Sequence, residues 1–290
     1  MNLWQEYLRP TNLSQAIQAF AEASGPILPI AGGTDLLLDL EQGRHSPVHT
    51  LLDVTSIEEM TALEVRGDEL FIGGAIPVNR IVLDPLVVTH AKALTEACNL
   101  IAGPQVRNVA TLGGNVAHAL PAADGTIALL ALNAQAEVAG IHGTRRMPFK
   151  ELFLGPGKSS LKHGEELLVG FYLRLSKKGQ ASCFKRIMRP QGVALPIINL
   201  AVWLERQEDL VSQICLAVGP GGPTPWRGTD VKNALLGKPL HEENLDLAMD
   251  ALLAQVGFRS SPRRAGADYR RHIVTGLFKD VLETAWTRAE

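Results

Sequence analysis

Ile27-Leu28-Pro29-Ile30-Ala31-Gly32-Gly33-Thr34-Asp35-Leu36-Leu37-Leu38 reads as a short strand, a glycine doublet with small polar neighbours, and the opening of a helix. A second doublet stands in Thr111-Leu112-Gly113-Gly114-Asn115. Glycine lets backbone approach a ligand closely and adopt positive φ, so both loops suit a phosphate met by amides rather than by lysine. Each is also readable as a tight turn, the first with Asp35 as a helix cap. Neither fits G-x-G-x-x-G or G-x-x-x-x-G-K-[ST], so the standard dinucleotide and nucleoside-triphosphate templates fail. The two loops together predict a pyrophosphate gripped from two sides, and hence a dinucleotide cofactor.

The flanks read outward from these loops. Thr11-Asn12 with Ser14 marks a helix start, followed by Leu13, Ile17, Phe20 and Ala21 at helical spacing and closed by Gly25-Pro26. Leu51-Leu52-Asp53-Val54 is a second strand. Leu63-Glu64-Val65-Arg66, a Gly67-Asp68 turn and Leu70-Phe71-Ile72-Gly73-Gly74 read as a hairpin. Pro77 to Ala102 is mainly helical, and Gly103-Pro104 breaks it ahead of Gln105-Val106-Arg107-Asn108. Ala122 to Leu132 reads as a buried helix and Ala136 to Ala139 as a strand. Ser176-Lys177-Lys178-Gly179 is charged, contains glycine and marks a boundary. Beyond it, Ile197–Leu204 and Ile214–Gly219 are expected to pair as strands. The tail turns helical from Leu245, and Tyr269, Ile273, Leu277 and Val281 mark one face of a last helix near Ala267–Arg288.

Composition removes several classes of function. The 290 residues are 46% hydrophobic and 20% charged, ordinary for a folded protein, with a net charge of −2. That balance supplies no basic face for nucleic acid. Arg263, Arg264, Arg270 and Arg271 cluster near the last helix and read as a solvated or subunit-contacting face. No apolar run approaches the roughly 18 residues of a membrane span, and Met1 to Tyr7 lacks the order of a signal peptide. Cys98, Cys183 and Cys215 lack C-x-x-C spacing, so neither a disulfide framework nor an iron–sulfur site is expected, and a reducing cytoplasm fits. Ser46-Pro47 between His45 and His49 disfavours a shared helical face, so no metal site is assigned. His118 reads as a loop or packing residue. Asp124 is readable as a helix N-cap or as an acceptor for ribose hydroxyls. No residue stands with partners as nucleophile or general base, so no catalytic residue is assigned.

The chain resembles the FAD-binding medium subunit of the molybdenum hydroxylases, whose members include flavin portions of xanthine dehydrogenase, carbon monoxide dehydrogenase and 4-hydroxybenzoyl-CoA reductase. The resemblance rests on Ala31 to Leu37 and Gln105 to Asn115, with support from Phe153-Leu154-Gly155-Pro156-Gly157, Gly164 to Leu168, Phe184-Lys185, Arg189 and Asp268-Tyr269-Arg270. It implies an α+β fold. A two-part, PCMH-type FAD-binding domain would span 1–175, with subdomains of about 1–57 and 58–175. A smaller domain of antiparallel sheet plus helices would span 179–290.

The resemblance also implies site residues. Pro29, Ile30, Ala31, Gly32, Gly33, Thr34, Asp35 and Leu36 would wrap the FAD pyrophosphate, and Thr111, Leu112, Gly113, Gly114 and Asn115 would close from the other side. Asp124 would bind the adenosine part. Leu161 and Lys185 would lie near the flavin end, where a cation stabilises reduced anionic flavin. Ile101 stands where some relatives carry an aromatic that stacks on adenine, and isoleucine supplies only apolar contact. After Arg189 some relatives carry acidic residues, whereas this chain has Gln191-Gly192-Val193-Ala194-Leu195-Pro196. The expected function is an electron-transfer subunit beside a large molybdopterin subunit and a small subunit with [2Fe–2S] clusters, as a dimer of heterotrimers. The alternatives are a self-contained FAD oxidoreductase and a flavin-less assembly subunit.

Overall fold

Thr50-Leu51-Leu52-Asp53 is buried along its whole length, as a strand flanked on both edges and covered on both faces must be. In the computed structural model, which describes residues 2–190, 195–262 and 264–290, it is the middle of three parallel strands. Glu6–Leu8 lies on one side, with Leu8 opposite Leu52, and Ile27–Ile30 on the other, with Ile30 opposite Asp53. Parallel strands need crossovers: the helix Leu13–Glu22 carries the chain from one edge strand to the other, and Leu36–Glu41 carries it back to the middle. The first of these helices starts at Asn12, whose side chain accepts from Gln15 N at 2.9 Å. The strand Glu6–Leu8 has no counterpart in the sequence reading: all three residues are exposed, so apolar alternation is missing.

A five-stranded antiparallel sheet follows, in the order Leu63–Arg66, Glu69–Gly73, Glu166–Arg174, Gln135–Gly140, Gly143–Pro148. The expected hairpin forms its first two strands. One face carries a core of Leu70, Ile72, Val138 and Phe171, packed with the helices Val78–Leu83, Lys92–Leu100 and Asp124–Ala131. Every residue of Asp124–Ala131 is buried, because the helix also packs against two strands of the next sheet.

That sheet has four antiparallel strands, Gln180–Met188, Pro196–Gln207, Leu210–Gly219 and Trp226–Arg227. The expected pairing of the two apolar strands is observed, with Val202 opposite Leu216. The helices Glu242–Gln255 and Ala267–Arg288 share an apolar core with this sheet. Gln191 to Ala194 and Arg263 lie outside the described residues. No helix among the described residues is long and apolar enough to cross a membrane.

The last helix differs from its reading in two respects. Its buried face is Val274, Leu277, Phe278, Val281, Leu282 and Ala285, while Tyr269 is half exposed. Steps of four advance about 40° each on a 3.6-residue helix, so a set such as 269, 273, 277, 281 winds off a flat sheet. Mixed steps of three and four stay on it. Arg270, expected in a solvated basic cluster, is instead buried, with its guanidinium donating to the carbonyls of Ile197 (3.0 Å) and Arg259. Burial lowers its pKa, and Arg264 and Arg259 add to that effect. Phe278→Ala is expected to destabilise the chain by about 3–5 kcal/mol, and Tyr269→Ala by less than about 1 kcal/mol. Denaturant unfolding of both variants checks this face, and equal losses would contradict it.

Candidate cofactor site

The first glycine loop leaves the strand Ile27–Ile30 and enters the helix Leu36–Glu41. Gly33 turns the chain at φ +67°, a conformation open to glycine at little cost. Gly32 is needed for another reason: a Cβ there would stand 2.1 Å from Val109 O and 2.8 Å from Ala110 N. The first loop therefore rests on the backbone that leads directly into the second. Asp35 occupies the N-cap position but makes no side-chain cap bond. Among the described residues, the N–H groups of Gly32, Gly33, Thr34 and Asp35 donate to no acceptor within the chain. This row of amides on a partly exposed loop is a cradle for an anion such as a pyrophosphate.

The second loop is built differently, and the expectation of bare amides on it is corrected. Thr111 caps the helix Leu112–Ala117, its Oγ1 accepting from Gly114 N at 3.1 Å. Leu112 N donates to Ile76 O (3.3 Å), Gly113 N to Gly74 O (2.8 Å) and Asn115 N to Thr111 O (3.0 Å). A Cβ on Gly113 would stand 2.5 Å from Gly74 O, so this glycine lets a helix start sit on the end of the strand Glu69–Gly73. The loop offers shape, an exposed Gly114 and the Asn115 side chain, whose Oδ1 is buried without a partner among the described residues. Upstream, Arg107 donates to Ile101 O (3.0 Å) and Ala102 O (2.7 Å), bracing the turn that precedes the doublet.

Asp124 belongs to the helix packed against Leu112–Ala117. The N-cap is Ala123, and Asp124 is the first helical residue, so the N-cap reading of Asp124 is corrected. Its carboxylate accepts from Arg186 Nη1 and, at 2.7 Å, from Asn199 Nδ2. Burial pushes the Asp124 carboxyl above its ordinary value, against the opposing pull of Arg186 and Asn199. Neither partner was singled out from sequence. Asn199 carried a signal, being a lone amide in the apolar run Ile197-Ile198-Asn199-Leu200-Ala201-Val202, where a buried polar group requires a partner.

Ile101 ends the helix Lys92–Leu100, and both Ile101 and Leu161 are partly buried against the core that contains Asp124's helix. Pro29 and Ile30 are held in the parallel sheet opposite Leu52 and Asp53. Lys185 donates to Asp280 Oδ1 (2.5 Å) and Thr284 Oγ1 (2.9 Å) on the last helix. Together with Leu100, Arg186, His272 and Ile273 it lines an open cavity of about 680 Å³. The structure thus seats the first glycine loop on the segment that leads into the second and packs the helix of Asp124 against the second, while the Lys185 ammonium has a carboxylate partner. Among the described residues no group of three or more His, Cys, Asp or Glu is placed to hold a metal. All three cysteines are buried and unpaired, and burial pushes the Cys183 thiol up to about 12.

Residues 3–173 match the model of the FAD binding domain in molybdopterin dehydrogenase, and residues 182–285 that of the CO dehydrogenase flavoprotein C-terminal domain. A putative xanthine dehydrogenase FAD-binding subunit of Escherichia coli (strain K12) is 32% identical over 282 residues, spanning 96% of this chain and 95% of the relative. The carbon monoxide dehydrogenase medium chain of Hydrogenophaga pseudoflava is 29% identical, over 98% and 97% of the two chains. The solved carbon monoxide dehydrogenase of that organism superposes with a TM-score of 0.91 at 28% identity, over 98% of each chain. On these matches and on its two glycine loops, the chain belongs to the family of FAD-binding medium subunits of the molybdenum hydroxylases.

Proposed function

We propose that this chain is the FAD-bearing electron-transfer subunit of a molybdenum-containing hydroxylase or dehydrogenase. It would pass electrons between [2Fe–2S] clusters of a small partner subunit and an external acceptor, while a large molybdopterin subunit handles the organic substrate. The observation that carries this reading is the row of unengaged amides at Gly32–Asp35, seated on the segment that leads into the second glycine loop. FAD, when bound, supplies exchange of electrons singly and in pairs.

The chain's own residues bind and orient. The amides from Gly32 to Asp35 donate to pyrophosphate oxygens, with Pro29, Ile30, Ala31 and Leu36 shaping the loop. Thr111 to Asn115 form the opposite wall, contributing the Asn115 side chain rather than free N–H groups. Asp124 accepts from ribose hydroxyls, and Ile101 gives apolar contact. Leu161 and Lys185 serve the flavin end. There Lys185 acts together with its counter-ion Asp280, as an oriented donor rather than an isolated positive charge.

The same reading takes 1–175 as the FAD-binding domain, with subdomains of about 1–57 and 58–175, and 179–290 as the C-terminal domain. Support comes from the linker 176–179, which joins strands of two different sheets. The assembly is a dimer of heterotrimers in the cytoplasm, a compartment that suits three unpaired cysteines.

Chain purified under native conditions is expected to show a flavin spectrum and to release about one FAD per chain on denaturation. Absence of stoichiometric FAD would contradict the cofactor, and turnover of a small organic substrate by the isolated chain, free of iron and molybdenum, would contradict the subunit role. Gly113→Val is expected to lose FAD and also to lower the stability of the flavin-free chain by about 1–3 kcal/mol, since its side chain meets Gly74. Full flavin occupancy in that variant would contradict the loop geometry.

A further inference from the structure

Asp124 opens a helix of the first 175 residues, yet both its partners stand on strands beyond residue 179. Arg186 and Asn199 donate to its two carboxylate oxygens, and Asn199 Nδ2 also donates to Ala122 O at 3.0 Å. The Arg186 and Asp124 side chains are each 5% exposed, and Asn199 is fully buried. Charges this dry persist only when paired. The network still has spare capacity: Arg186 Nε and Asn199 Oδ1 are buried without partners among the described residues. An ionised carboxylate offers about four acceptor positions, and among the described residues only two donors reach this one.

We propose that Arg186 is a positioning residue for the cofactor, holding Asp124 ionised and aimed so that its remaining lone pairs accept the ribose hydroxyls of FAD. The inference rests on the reading of Asp124 as the adenosine contact. A ribose O–H needs an acceptor, and a buried carboxyl without a counter-ion takes up a proton and becomes a competing donor. Among the described residues, the other titratable group facing Asp124 is Cys98, on the helix Lys92–Leu100, whose thiol burial holds protonated. Lys185 cannot replace Arg186, because its ammonium meets Asp280 on the last helix. Cofactor retention is thereby tied to contact between the two halves of the chain.

FAD titration of the flavin-stripped chain, followed by flavin fluorescence, tests this. Asp124→Asn and Arg186→Met are each expected to weaken FAD binding at least about tenfold. The double variant should be no weaker than the weaker single, and Arg186→Lys should recover most of the loss. In Arg186→Met, binding should tighten as pH rises and Asp124 ionises, whereas a purely structural defect gives a loss flat in pH. The thermal midpoint of each flavin-free variant is read in parallel. If Arg186→Met does not fold, Arg186→Gln, which also lacks the charge, is used with and without Asp124→Asn and decides by the same additivity rule. Wild-type affinity in Arg186→Met beside a weak Asp124→Asn, additive losses in the double, or a pH-flat loss would overturn the role of Arg186. Wild-type affinity in Asp124→Asn would overturn the adenosine reading itself.

Discussion

The carbonyl oxygen of Val109 occupies the space in which any side chain at residue 32 would begin, and the carbonyl of Gly74 does the same at residue 113. Backbone laid directly on backbone in this way admits only hydrogen at the contact. The first contact brings the end of a parallel strand against the approach to the second loop; the second seats that loop on the antiparallel sheet. The placement of both loops follows from these two close approaches.

The two doublets therefore do different work. At Gly32–Asp35 the chain leaves a strand and turns before its helix begins, so four successive N–H groups find no acceptor among the described residues. At Thr111–Asn115 the helix begins at once, and Thr111, Gly74 and Ile76 take up the corresponding amides. A pyrophosphate held as proposed would meet amides on one side and a rigid helix start on the other. Behind that wall, Asp124 and Arg186 bind the halves of the chain together through a buried ion pair.

Much of this was legible because it is local. The strand, doublet and helix of residues 27–41, the hairpin around Gly67-Asp68 and the buried helix near Asp124–Ala131 each announce themselves through turn residues or periodicity within a short window. What stayed hidden depends on distant partners. The strand Glu6–Leu8 exists because residues 50–52 offer it an edge. The amides of the second loop look free until Gly74 is placed beside them. Arg186 stands 62 positions from Asp124, and its neighbour Lys185, which carries a similar charge, points to the opposite face of the strand. Arg270 reads as a surface charge until the carbonyls of Ile197 and Arg259 close around it.

Amide hydrogen exchange of the chain with and without FAD tests the unequal use of the two loops. Slow exchange is expected at residues 112–115 in both states, and slowing at residues 32–35 only when FAD is added. Rapid exchange at Gly113 and Gly114 in the flavin-free chain, or no change at residues 32–35 on binding, would contradict it.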